Sequence, residues 1–360
     1  MKELVGYELK KIANVRKIWI LAIVLFLLCI GSFAIISAMG DWQGAKEMLE
    51  YYSGSVENNP RIESAKIRYQ EICEQYIDQG IEMDEVTEAE FYAMEYPLFL
   101  ARCDSVRKEN LAEMGFEAET LVVGDTIFYA FIEEFIANYL PFILGFVIAF
   151  LIAPVFASEY GNHMDGLLLS SKHGKRKLIF GKFIAATSTI ILAYVYVVGI
   201  FSILAICFCG IGDLNASFIF TADNVFIYLS SPYNFLVWQY ILILLGCSLF
   251  GCMCFGCLTL LASSRCQNAI SASMLSLAFI YVPILAFKMI GQNEGLVPNI
   301  LRMFHGAVIG VRTLFSDYFP VELGQVTLTM PVISIAFLAI SSGVFIMAAF
   351  RGFQKHQVKN

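Results

Sequence analysis

The sequence predicts an all-α integral membrane protein with six transmembrane helices, and three observations carry that prediction. Apolar residues make up 58% of the 360-residue chain and charged residues only 15%, with a mean hydropathy of +0.68. The apolar residues gather in six runs of roughly 20, the length at which a helix rising ~1.5 Å per residue crosses a ~30 Å hydrocarbon core. None of the runs alternates apolar and polar positions as barrel strands do. Lipid offers the backbone no hydrogen-bond partner, so helices follow.

Taken in order, the chain opens on a basic leader. Leu4, Val5, Leu9, Ile12 and Ala13 fall near helical spacing, with Lys2, Lys10 and Lys11 on the other face. That pattern predicts an interfacial helix within residues 1–17; the alternative is a solvated tail that serves only to orient the chain. Residues 18–39, Ile18 to Met39, form the first predicted span. This apolar stretch is longer than the core of a secretory signal, so it reads as a retained span despite the small residues Ser37, Ala38 and Gly40 after it.

Residues 40–138 are a mostly helical, extracytoplasmic domain by prediction. From Asp41 to Asn138 there are 22 Asp and Glu against 7 Lys and Arg. Removing this −15 from the formal −7 of the chain leaves +8 for the rest. The basic residues cluster at Lys2 to Lys17, at Lys172 to Lys182, at Arg265 and at Arg351 to Lys359. They place both termini in the cytoplasm of a multi-pass cell-membrane protein and the acidic segment outside. Within it, Pro60 to Gln79 sets Ile62, Ala65, Tyr69, Ile72 and Tyr76 on one helical face, and Glu88 to Met114 is a second candidate helix. Thr126 to Phe135 is expected to run along the interface. Cys73 and Cys103, one on each candidate helix, are a candidate disulfide.

Residues 139–350 hold the other five spans: Tyr139 to Ala157, Leu178 to Ile211, Phe235 to Ala262, Ala269 to Ile290 and Pro331 to Phe350. A short cytoplasmic tail, 351–360, follows. Gly246, Gly251 and Gly256 predict close helix packing along the fourth span. Cys247, Cys252, Cys254 and Cys257 on the same run read as small apolar residues, because Cys254 and Cys257 lack the second pair a metal site needs. The four histidines, His163, His173, His305 and His356, form no ligand or triad pattern. Neither a nucleophile elbow, a phosphate loop nor a dinucleotide fingerprint is present. No catalytic residue, no metal and no cofactor is therefore expected in this chain, and no nucleic-acid partner. Few ionisable residues fall inside the spans; Lys288, near the end of the fifth, can snorkel. That scarcity disfavours a secondary transporter, whose coupling ions need buried acids, and points to an outside source of energy.

The most informative stretch is the bridge between the second and third spans, residues 158–177. Glu159 and Tyr160 leave the membrane, His163 and Asp165 follow, Leu167, Leu168 and Leu169 make an apolar knob, and Ser170 to Lys177 return through a basic turn. A short amphipathic helix of this kind docks a partner subunit. The competing reading is an ordinary loop whose cations set topology and touch anionic lipid, at about 1 kcal/mol each.

The run SEYGNHMDGLLLSSKHGKRKLIFGK resembles the ABC-2 type exporter permeases. In them an acidic residue after the second span leads to a Leu-Leu-Ser knob, a basic turn and a Gly-Lys at the start of the third span. Here these are Glu159, Leu168, Leu169, Ser170, Lys175, Arg176, Gly181 and Lys182. The six-span layout, the N-terminal helix and the long outer segment extend the similarity over most of the chain. His163 stands where many members carry Gly, and Lys172 where many carry Pro.

The resemblance implies a non-catalytic permease subunit. Glu159, Tyr160, His163, Asp165, Leu167, Leu168, Leu169, Ser170, Lys175 and Arg176 would contact a separate cytoplasmic ATP-binding subunit, which holds the ATP and Mg. A second permease copy or paralogue and membrane lipids complete the expected partners. The cargo class it implies is an amphipathic peptide, an antibiotic or a lipid-like molecule. A different class also fits the layout: a membrane-anchored sensor or assembly protein whose outer helices bind a ligand.

Overall fold

The structure is a computed structural model that describes residues 2–12, 15–56, 59–60, 63–64, 67, 96–117, 119–161, 177–220, 228, 231–290, 296–316, 321–323 and 326–355. Among the described residues six helices are long and apolar enough to cross a membrane: Ile18–Ala38, Ile127–Gly161, Lys177–Cys209, Val237–Arg265, Ala269–Ile290 and Met330–Phe353. Strand is confined to two antiparallel pairs, Gly54–Ser55 with Val122–Val123 and Val321–Leu323 with Val326–Leu328.

The spans differ in how much of their surface faces protein. The first is peripheral: Leu25, Cys29, Ser32 and Ile36 share one stripe at helical spacing and are buried, while Trp19, Ile20, Ile23 and Leu27 are exposed to the bilayer side. It packs on the third span, where Tyr196 donates its hydroxyl to the Ala22 carbonyl at 3.0 Å and Phe33 meets Phe201 edge-on. The second span is the most enclosed. The fourth lies at the centre, touching the second, third, fifth and sixth.

Two of the three glycines expected to allow close packing along the fourth span do so. A Cβ on Gly251 would come within 2.8 Å of the Ile309 side chain and 3.0 Å of its backbone nitrogen, and one on Gly256 within 2.2 Å of Ile190. Gly246 has nothing within 4 Å, so the expectation fails there.

The helix that carries the second span begins at Ile127, ahead of Tyr139, where the apolar run starts. Ile127–Glu134 continues through a π-helical turn, Phe135–Tyr139, into Leu140–Ile152. Thr126 stands at the N-cap of this helix, which runs on into the span, and Tyr129, Phe131, Ile132 and Glu133 are buried against protein. Glu133 and Glu134 end the apolar run in the sequence, yet the helix continues through them. Their counterion is Arg312, which donates to both carboxylates and lies 2.7 Å from Glu134. Tyr228 adds a hydroxyl to Glu133 at 2.8 Å, and Asn138 an amide to Glu134 at 2.6 Å.

Arg312 reaches the glutamates because the chain between the fifth and sixth spans folds back into the bundle. The short helices Leu296–Arg302, His305–Gly310 and Arg312–Phe315 descend until Ile309 packs on Gly251, near the middle of the fourth span. Val311 makes the turn between the last two at φ 60°, a left-handed conformation unfavourable for a β-branched residue and held by the packing around it.

Pro154 interrupts the other half of the second span, between Leu140–Ile152 and Pro154–Gly161. Proline removes one helical hydrogen bond and pushes away a carbonyl. Ser263 of the fourth span fills the break, donating to the Ala153 carbonyl at 2.6 Å and accepting from the Phe156 and Ala157 amides at 2.9 and 3.2 Å.

The described parts of the polar segment form a helix, Trp42–Tyr51, capped by the Asp41 carboxylate on the Gly44 amide, and a helix, Tyr96–Glu113, inside the expected 88–114. Arg107 ties the second to the loop before the fourth span, donating to the carbonyls of Tyr228, Ser231 and Tyr233 and to the Asn234 side chain. Burial lowers its pKa to about 10, against the opposing pull of Asp104 and Glu119. Most of the expected helix 60–79, with Cys73, lies outside the described residues; Cys103 is buried.

Candidate coupling site

The described ends of the chain, Lys2 and Lys355, lie at one end of the bundle, where the N-terminal helix Lys2–Ile12 meets the end of the second span and the start of the third. The leader forms a helix as its periodicity predicted, and it packs along the start of the third span. Leu4 sits so close to Gly181 that a Cβ there would stand 3.0 Å from its methyl group. This helix presents Glu8 and Lys11, one turn apart on one face, to the neighbouring spans.

Lys182, one turn into the third span, is wholly buried. Its ammonium donates to Glu8 at 3.1 Å, to the Val155 carbonyl at 3.0 Å and to Glu159 at 2.5 Å. Its three protons are thereby matched by three acceptors, and the Phe156 ring lies 5.6 Å away. Lys11 approaches the same Glu159 oxygen at 2.7 Å from the half-exposed side. Two carboxylates and two ammonium groups thus join three elements, the N-terminal helix, the end of the second span and the start of the third. The cluster carries no net formal charge, which makes its burial tolerable, and removal of any one member leaves an uncompensated charge in a dry site.

A second set of contacts closes the same end. Tyr160 donates to the Ser264 carbonyl at 3.3 Å, and Phe353 of the sixth span packs, with tilted rings, against Phe156 and Tyr160 with ring centres 4.9 and 6.0 Å away. The second, fourth and sixth spans therefore meet around the two residues that open the bridge.

Of the predicted contact residues, Glu159 and Tyr160 are described and both are buried against the chain's own elements. His163, Asp165, Leu167, Leu168, Leu169, Ser170, Lys175 and Arg176 lie outside the described residues. The flanking helices end at Gly161, two residues after Glu159, and start at Lys177, five residues before Lys182. Sequence reading missed Glu8, Lys11 and Lys182 as partners. Glu8 lies on a predominantly basic leader, and its spacing from Lys11 was the available signal; the pairing with Lys182 spans 174 residues and left none.

The spans also carry more charge than the sequence suggested. Glu133, Glu134, Glu159 and Lys182 all lie within them, yet each is engaged by an opposite charge. Such paired groups hold helices together; a coupling-ion relay needs acids free to exchange protons.

The family model for ABC-2 family transporter protein matches residues 3–356. No curated protein matches the chain.

Proposed function

The chain belongs to the ABC-2 family of transporter proteins, and from that premise we propose that it is the non-catalytic permease subunit of an exporter driven by a separate cytoplasmic ATP-binding subunit. The terminus-bearing end, where the basic residues concentrate, faces the cytoplasm in this reading. ATP and Mg belong to the partner subunit, and a second permease, identical or paralogous, completes the membrane part.

One observation carries the mechanism: the Glu8, Lys11, Glu159 and Lys182 cluster fixes the roots of segment 162–176 to three elements at once. A force applied to that segment by a moving partner would reach the second and third spans without being absorbed in a flexible joint. The helix Lys177–Cys209, 33 residues long, would carry it as a near-rigid body toward the opposite end. In this mechanism Glu159 is a positioning residue, and the direct contacts with the partner fall to Leu167, Leu168, Leu169, Lys175 and Arg176.

The test is ATP hydrolysis by the co-purified complex in lipid. Replacing Leu168 and Leu169 with Asp is expected to abolish recovery of the ATP-binding subunit while the chain still inserts in the membrane. Glu159→Gln should retain the subunit but reduce substrate-stimulated hydrolysis. Full stimulation in both variants contradicts the proposal, and ligand binding without any associated ATPase favours the sensor or assembly alternative.

A further inference from the structure

At the end of the bundle opposite the termini, a cavity of about 330 Å³ lies between the second span, the fifth span and the inward-folding helices. Its wall is mainly apolar, with Phe142, Pro283 and Phe287 on it, and its polar side chains are Asn138, Lys288, Arg312 and Thr313. Ligand sites commonly combine an apolar wall with a few placed polar groups over ~300–1,000 Å³. This volume is at the lower limit, enough for a headgroup and a short length of chain rather than a whole two-chain lipid.

The polar groups are not equivalent. Arg312 spends Nε and Nη2 on Glu133 and Glu134, so its charge is already matched twice over. Asn138 is committed to Glu134. Lys288 is different: its ammonium lies 5.8 Å from the Phe142 ring centre, and among the described residues no carboxylate pairs with it. It is the one cation on the cavity without an acidic partner among the described residues, and Nη1 of Arg312 remains as a second donor.

We propose that this cavity binds the head of a single-chain acidic amphiphile, its phosphate or carboxylate on Lys288 and the adjoining carbons along Phe142, Pro283 and Phe287. That such a molecule is the cargo rests on the export reading; that it binds does not. Attraction by one lysine near a membrane surface is worth about 1 kcal/mol, or about fivefold in affinity.

The experiment is photolabelling of the full chain in zwitterionic nanodiscs, with the adducts located by peptide mass spectrometry. The probes are a diazirine-bearing decyl phosphate and the corresponding decanol. The phosphate probe should label the peptides carrying Phe142 and Phe287, and Lys288→Gln should lower that yield about fivefold while Lys288→Arg keeps it. Unlabelled decyl phosphate should compete, and inorganic phosphate should not. Equal labelling by the alcohol, undiminished labelling in Lys288→Gln, or competition by inorganic phosphate as strong as by decyl phosphate would overturn the proposal. The ATP-binding subunit is not needed, so a chain that labels as expected yet fails to stimulate hydrolysis counts against the export reading alone.

Discussion

Lys182 sits where a single substitution separates charge from packing. Lys182→Met keeps most of the side-chain volume but strands the buried Glu8 carboxylate and leaves Glu159 with Lys11 alone, and breaking a buried pair in this way typically costs about 3–5 kcal/mol. Chemical unfolding of the purified chain should show that loss. The double variant Lys182→Met with Glu8→Gln should recover more than half of it, because the second change removes the stranded charge and Glu159 keeps Lys11. No recovery would mean that Lys182 acts through packing. Local pattern could not reveal this cluster: Glu159 was legible as an acid at the end of an apolar run, but its partners come from residues 8, 11 and 182. The same holds for Glu133, whose partner Arg312 lies 179 residues away and turned an apparent break in the span into a satisfied ion pair.

At the level of elements, the helix Tyr96–Glu113 depends on Arg107 and the inward-folding helices depend on Gly251. Arg107→Met leaves three backbone carbonyls and the Asn234 side chain without their donor, a loss of about 3 kcal/mol confined to the polar segment. Limited proteolysis should then cut within residues 96–117 while the spans stay intact. Gly251→Ala drives a methyl group into Ile309, including its backbone, and overpacking of this kind costs about 1–3 kcal/mol. Gly256→Ala should cost less, since it meets the mobile end of Ile190. Thermal unfolding of the two variants should rank them in that order. Apolar runs located all six spans, because length and composition alone are enough to demand a transmembrane helix. The starts and ends were less legible wherever a charge, as at Glu133, or a proline, as at Pro154, was compensated by another helix.

For the whole molecule, the distribution of fixed charge divides the labour between the two ends. At the terminus-bearing end a buried four-residue cluster binds three elements around the roots of segment 162–176. At the opposite end Glu133, Glu134 and Arg312 hold the inward-folding helices to the second span, with a cavity beside them. The second span runs between the two clusters and takes part in both, which makes it the shortest physical route between the proposed partner contact at one end and the proposed cavity ligand at the other. The family match supports transport as the purpose of that arrangement. The measurement that tests this account most directly is ATP hydrolysis by the lipid-reconstituted complex, wild type against Glu159→Gln, with subunit stoichiometry recorded on the same samples. The account predicts an unchanged amount of bound ATP-binding subunit and a several-fold loss of substrate-stimulated hydrolysis. Loss of the subunit itself, or full stimulation in the variant, would contradict the role given to the buried cluster.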